Sequence, residues 1–264
     1  MKQHMLINRL SGMVLLAGVI TLLSMGRVYA LDIPANLQWS KRVELATPVS
    51  GVIKSVLVNT SDKVRKGDVL VKLDERMYAA DLRKAKARIK EFDEKQKEAT
   101  RELDRAQELY NRTVLSDHDL QTAKNAKVSA DSEYATARAE LVTAELNLEN
   151  STIVAPFDAF VLQRTAEVGQ TVASELKPET LITLAASGEM IARGYIEQAY
   201  LNGQLQGQAA RVEVAGITYN GKVKHIALEP VKLEKQGIYY EIDIVFNTGD
   251  RIMRAGQQVM IKLP

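Results

Sequence analysis

Histidine, the side chain that most often ligates metals and moves protons near neutral pH, is scarce in this chain and scattered. Its three histidines are His4, His118 and His225, and it contains no cysteine. None of the histidines has a partner at a spacing that suggests metal ligation. The lack of cysteine removes disulfides and thiolate metal sites from consideration. No glycine-rich loop is placed to cradle a phosphate, and no nucleophile elbow is present. Periodicity brings no pair of carboxylates together for general acid–base work. Asp62 and Lys63 are adjacent but sit in a turn, where solvation accounts for both. The expectation is a protein without catalysis, cofactor or metal, whose function lies in its elements.

The longest of those elements run from Arg76 to Asn150. Tyr78, Leu82, Ala85, Ile89, Phe92, Gln96, Ala99, Leu103, Ala106 and Tyr110 follow alternating spacings of four and three. Leu120, Ala123, Lys127, Ala130, Tyr134, Ala137, Leu141, Ala144 and Leu148 alternate three and four. Each series is a heptad seam of the coiled-coil kind. Folding the chain about Val114 and Leu115 sets Leu82 against Leu148, Ile89 against Leu141 and Phe92 against Ala137. The spacing therefore predicts an antiparallel hairpin, with arms of roughly 50 Å at 1.5 Å per residue. Leu82, Ile89, Phe92, Leu103, Leu141 and Leu148 are the large seam residues. Asn111–Asp117 forms the tip, with Ser116 as N-cap of the second helix.

The first thirty residues read as a secretory signal. Lys2 and Arg9 precede an apolar run from Met13 to Leu23, and Val28-Tyr29-Ala30 places small residues before Leu31. The run is short for a bilayer span, so the expectation is cleavage after Ala30 and a periplasmic mature chain. A retained membrane anchor is the competing reading. Cleavage would leave 32 basic against 33 acidic residues, a balance that gives no support to nucleic-acid binding.

The segments on either side of the hairpin, Val43–Asp74 and Thr152–Ala185, read as short strands divided by turns. They also resemble each other at an offset of 108. Pro48-Val49-Ser50-Gly51-Val52-Ile53 parallels Pro156-Phe157-Asp158-Ala159-Phe160-Val161. Ser61-Asp62-Lys63-Val64 falls on Gly169-Gln170-Thr171-Val172. Two such halves would pair into one small β-sandwich, with the hairpin inserted between them.

These half-motifs, Thr47–Ile53 with Asp62–Asp74 and Ala155–Asp158 with Val168–Val172, resemble the lipoyl-like domain of the bacterial periplasmic adaptors. These are the membrane fusion proteins of tripartite efflux and secretion systems, which carry a helical hairpin between the two halves. Ser61 and Ala159 stand where the family usually has glycine, so different geometry is expected at those two turns. A lipoyl or biotin carrier would need a modifiable lysine on a tight turn joining the halves, and the hairpin occupies that place. Near the tip, Arg105, Leu109 and Ser116 match the spacing of the residues with which family members dock onto TolC-type outer-membrane channels. The resemblance also implies a ring, expected to be hexameric, with Gln170 on a loop lining the conduit. The partners implied are an inner-membrane transporter of ABC or RND type, the outer-membrane channel and further copies of the chain.

From Met190 to Pro264 the pattern is all-β, with one short helix between Glu197 and Leu205. Ile238, Tyr240, Ile242, Ile244 and Phe246 alternate with Tyr239, Glu241 and Asp243, and Val259, Ile261 and Leu263 fall at the same period of two. Gly221-Lys222-Val223 and Arg254–Val259 resemble strand starts of the adaptor β-barrel. Family members usually continue into a membrane-proximal domain, which is expected to be absent here. A structural coiled-coil scaffold working without a transporter is the alternative function. The fold class expected is α+β: a long coiled-coil hairpin inserted in a lipoyl-like β-sandwich, followed by a small β-barrel. The divisions are 1–30 signal, 31–75 N-terminal segment and first lipoyl-like half, 76–150 hairpin, 151–187 second half and 188–264 barrel.

Overall fold

The computed structural model describes residues 31–173, 179–201, 205–232, 237–249 and 251–264. The signal reading of residues 1–30 lies outside them, as do residues 202–204 of the expected short helix. No helix among the described residues is long and apolar enough to cross a membrane. The chain divides into two units, residues 40–187 and a unit formed by the N-terminal segment with residues 188–264.

In the first unit the strands β2 (Arg42–Leu45), β3 (Gly51–Val56), β4 (Lys63–Val64) and β5 (Val69–Leu73) precede the helices. After them come β6 (Thr152–Val154), β7 (Ala159–Arg164), β8 (Thr171–Val172) and β9 (Ile182–Ala186). They form two four-stranded sheets, β2-β9-β7-β4 and β6-β5-β3-β8. Each sheet takes two strands from each half of the internal repeat, so neither half has a sheet of its own. The 108-residue offset maps one sheet's pairing onto the other's. Lys63 pairs with Phe160 and Val64 with Ala159, while Val52 pairs with Thr171 and Gly51 with Val172. The turns obey the same symmetry: Ser61 N donates to Val161 O at 2.8 Å and Gly169 N to Ile53 O at 2.9 Å. Ile53, Leu70, Leu73, Leu181, Ile182 and Leu184 are fully buried between the sheets.

That symmetry corrects the expectation of altered turns. Ser61 has φ 78° and its counterpart Gly169 has φ 88°, so the serine keeps the left-handed backbone that glycine adopts without strain. Ala159 is an ordinary strand residue, wholly buried opposite Val64, and needs no glycine.

Between β5 and β6 rise α1 (Arg76–Asn111) and α2 (Asp117–Asn150). Their root is tied into the sheet. Leu73 N donates to Ser151 O at 2.8 Å, buried Thr47 donates through Oγ1 to Asn150 O at 3.0 Å, and the Tyr78 hydroxyl donates to Ser50 O. Asp74 accepts the free Arg76 N–H and a forked bond from its guanidinium, which together hold its carboxyl at about 2. Along the arms, Tyr78, Ala85, Leu120, Ala130, Ala137 and Ala144 are buried. Leu82, Ile89, Phe92, Leu103, Leu141 and Leu148 are each half-buried, because a two-helix seam covers a side chain from one direction only. Three of the buried residues on α2, Ala130, Ala137 and Ala144, are small, which lets the two backbones approach. Across the seam, Gln96 Nε2 donates to Asp131 Oδ1 at 2.8 Å, and Lys127 reaches both Asp131 oxygens at 2.6 Å. Lys127 first and Gln96 second hold the Asp131 carboxyl below its ordinary value.

The second unit is a closed six-stranded barrel, β1-β10-β13-β12-β11-β14. Its strands are β1 (Leu31–Trp39), β10 (Glu189–Glu197), β11 (Ala209–Val214), β12 (Ile217–Val231), β13 (Tyr239–Asn247) and β14 (Gln258–Leu263). Residues 31–39, grouped by sequence with the first lipoyl-like half, therefore belong to the barrel and close it. Ile33, Ala35 and Leu37 alternate inward to join Met190, Ile196, Val212, Ile242, Ile244 and Ile261. Pro34 lies opposite Met260 in the β1–β14 ladder and precedes the β1–β10 register, which begins only at Ala35. A side chain on facing Gly194 would lie 2.9 Å from Ile33 Cγ2 and 3.2 Å from Pro34 O, so the strands approach closely only with glycine there. The expected short helix is a single 3₁₀ turn, Gln198–Tyr200. Ile238 lies outside β13 and is 50% exposed, whereas Ile242, Ile244 and Phe246 point inward as the alternation requires.

Ser61 provides a test of the sandwich turn. Ser61→Gly removes left-handed strain of about 1–2 kcal/mol, offset by the greater backbone entropy of unfolded glycine. The expected result is a gain of roughly 0.5–1 kcal/mol in chemical denaturation. A loss of stability would mean that the serine side chain, not its backbone, holds the turn.

Candidate functional site: the hairpin tip

The polypeptide reverses direction between α1 and α2 in five residues, Arg112–Ser116. Arg112 N reaches Glu108 O and Leu109 O, Thr113 N donates to Tyr110 O at 2.9 Å, and Val114 N returns to Leu109 O at 3.0 Å. These bonds use up the last carbonyls of α1, with Thr113 at φ 58° making the reversal. Leu120, 2% exposed, packs the start of α2 into the seam, while Val114 is 72% exposed at the apex.

Ser116 takes the extended backbone of an N-cap and accepts Asp119 N at 3.2 Å. Its hydroxyl also donates to Asp119 Oδ2 at 2.7 Å, so both the backbone and the side chain of Asp119 engage the capping hydroxyl. Asp117 and Asp119 place negative charge on the first turn, where the helix dipole favours it. The Ser-x-x-Asp spacing is the signal by which Asp119 could have been found from sequence.

Arg105 is 60% exposed, and its NH1 donates to Glu102 Oε1 at 2.6 Å. Arg101 pairs with Glu98, and Arg112 with Glu108 at 2.5 Å, so two arginines of α1 and Arg112 just beyond it are held by acids of α1. Exposed pairs of this kind are worth little, and their guanidinium forks transfer to a better acceptor at small cost. Leu109 is half-buried. Arg105, Leu109 and Ser116 thus lie in the last two turns of α1 and the first cap of α2, near one end of the hairpin. His118 is exposed beside them.

Gln170 lies elsewhere, on the β7–β8 loop of the sandwich. Its Oε1 accepts Glu167 N at 3.0 Å and its Nε2 donates to Glu179 Oε1 at 3.1 Å. Asp62, its counterpart in the other half, accepts Asn59 N at 2.7 Å through Oδ2, so both side chains brace equivalent turns.

The family model of the CzcB-like barrel-sandwich hybrid domain matches residues 41–185. Macrolide export protein MacA of Escherichia coli O157:H7 is 29% identical over 217 residues, covering 76% of this chain and 58% of the relative. Its counterpart in Yersinia pestis is 27% identical over 240 residues, covering 84% of this chain and 64% of the relative. The chain thus spans less than two thirds of the length of these relatives. In fold it is similar to a MacA–MexA chimera bearing the Pseudomonas aeruginosa MexA α-hairpin, with TM-score 0.64, 21% identity and coverage of 88% and 80%. It is likewise similar to the membrane fusion protein Spr0693 of Streptococcus pneumoniae R6, with TM-score 0.64, 16% identity and coverage of 88% and 97%.

The cap can be separated from the surface it presents. Ser116→Ala is expected to cost about 1 kcal/mol in thermal or urea unfolding of the hairpin. Ser116→Thr keeps both the acceptor and the donor and should be near neutral. An aspartate at 116 would face Asp119 and is the poorer control.

Proposed function

Because this chain belongs to the CzcB-like barrel-sandwich hybrid family, that of the periplasmic membrane fusion adaptors, we propose that it links an inner-membrane exporter to a TolC-type outer-membrane channel. One observation carries the reading. Two helices of 36 and 34 residues extend from a sandwich that roots both ends, and they carry exposed polar side chains such as Arg105 and Ser116 towards the far turn. Beyond Tyr78 and Leu148 at its root, which join the sandwich core, a hairpin of that length buries one narrow stripe; it provides reach. The relatives' role in macrolide export supports a place in an efflux system.

In this proposal Arg105 presents its guanidinium to carbonyls or carboxylates at the channel's periplasmic turns. Leu109 adds an apolar contact and Ser116 a hydroxyl. The sandwich, with the Gln170 loop, lines a conduit in a ring of copies, expected to be hexameric. The barrel faces the inner-membrane transporter, which supplies the energy by nucleotide hydrolysis or an ion gradient. The chain itself performs no catalysis, and a periplasmic location follows from this role.

Arg105→Asp tests the docking. Position 105 lies off the seam, so unfolding should change by no more than about 0.5 kcal/mol. Export should fall sharply, as should crosslinking to the channel from a cysteine placed at Val114 in this cysteine-free chain. Leu109→Ser should act in the same direction more mildly. Intact export and intact crosslinks in Arg105→Asp would remove the docking assignment.

Ring assembly is tested at the hairpin base, where Arg83, Lys84, Lys86 and Lys90 lie on α1 and Glu133, Glu145 and Glu149 on α2. All seven are exposed, whereas Arg88 is already paired with Glu140 of its own hairpin at 2.8 Å. Charge complementarity between neighbouring copies sets pairing and register. Reversing Lys84, Lys86 and Lys90 to glutamate should weaken crosslinked oligomers in a salt-dependent way. An unchanged ladder would place the interface elsewhere.

A further inference from the structure

A second polar cluster lies on the barrel, spread over three adjacent strands. Ile242 and Ile244 of β13 point into the barrel core, so Asp243 between them points outward; yet its side chain is 0% exposed. The ladders explain this burial. The register sets Asp243 opposite Arg193 of β10 on one side and His225 of β12 on the other. Arg193 donates Nε to Asp243 Oδ1 at 2.8 Å and NH2 to Oδ2 at 2.7 Å, and its Nε lies 3.2 Å from Glu241 Oε1. His225 follows a register shift between Val223 and His225, a bulge of the kind that re-aims a side chain.

His225 Nε2 lies 3.4 Å from Asp243 Oδ2. That is long for a charge-assisted hydrogen bond, which runs about 2.7–2.9 Å. It matches the edge of roughly 3.3–3.4 Å of a tetrahedron whose nitrogen and oxygen corners lie about 2.0–2.1 Å from a zinc ion. Ligand atoms of His225, Glu241 and Asp243 all lie within 4.8 Å of one another. Two carboxylates set against one guanidinium leave a net negative charge while the imidazole is neutral. A divalent cation adds positive charge to a cluster that is one positive charge short.

We propose that His225 Nε2, Asp243 Oδ2 and the Glu241 carboxylate form a three-ligand site for a divalent cation of the zinc class. Mixed nitrogen and oxygen donors select this class over magnesium or calcium, which take oxygen ligands. Arg193 orients the Asp243 carboxylate through both oxygens, as hydrogen-bonded partners of metal-ligating carboxylates do, and the proposed ion takes the second lone pair of Oδ2. His225 is 46% exposed and Glu241 24%, so the fourth position opens to water or to a side chain from a partner. The site lies on paired strands, which hold ligands more firmly than a loop. It is independent of the docking role of the hairpin.

The test is titration of the chelator-treated full chain with ZnCl2 by calorimetry. One zinc per chain is expected, with a micromolar dissociation constant. His225→Ala and Glu241→Gln should each weaken binding at least tenfold, and His118→Ala should leave it unchanged. Co2+ in place of zinc should give the intense visible absorption of four-coordinate cobalt, absent in His225→Ala. Zinc should raise the melting temperature of the parent chain and not that of the two variants. His225 is half exposed, so its variant should fold, which circular dichroism verifies. No zinc binding by the parent, or binding undiminished in both variants, would overturn the site and leave the cluster a purely structural ion-pair network.

Discussion

Both ends of the helical excursion return to one backbone ladder. β5 and β6 are separated in sequence by the entire hairpin, yet Lys72 pairs with Thr152 and Val71 with Ile153. This closure lets two long helices leave and re-enter a small sandwich without splitting it. It also sets the first residues of α1 beside the last of α2, so the two heptad seams meet in register from the root. Thr47, Tyr78 and Ser151 then fill the joint with hydrogen bonds to carbonyls near it. If the ladder were absent, the helices would remain amphipathic but would have no common origin from which to align.

The exchange of strands between halves follows from a similar need. Each half offers short strands with one apolar face and too little area to form a stable sheet alone. Interleaving gives each sheet four strands and encloses one core, at the cost of making each half depend on the other. Ser61 retains a left-handed backbone within this exchange because its amide donates to Val161 across it. A locally unfavourable residue is held by a contact that local sequence does not contain.

The tip has the opposite character. Its backbone is tightly specified by the Thr113 reversal and the Ser116–Asp119 cap, while its arginines are held only by exposed acids one turn earlier. A rigid frame with exchangeable surface charges suits recognition, since little ordering remains to be done on contact. The barrel cluster reverses these proportions, with a buried carboxylate at its centre and half-exposed groups around it.

Local periodicity made the helices legible from sequence. The heptads of Leu82–Leu103 and Leu120–Leu148, the Ser116 cap and the alternation of Ile242, Ile244 and Phe246 are each set by neighbours within a few residues. The 108-residue repeat likewise announced a paired sandwich. What stayed hidden depends on pairing between distant residues. Residues 31–39 read as an N-terminal segment grouped with the first lipoyl-like half, and only their ladders with β10 and β14 make them the strand that closes the barrel. The interleaving of the halves, the backbone of Ser61 and the Gln96–Asp131–Lys127 link arise in the same way. His225 had no partner at any short spacing, because Glu241 and Asp243 reach it across strands, after a bulge that no local pattern encodes. Local spacing determines which segments are helix or strand; register between segments decides which side chains meet.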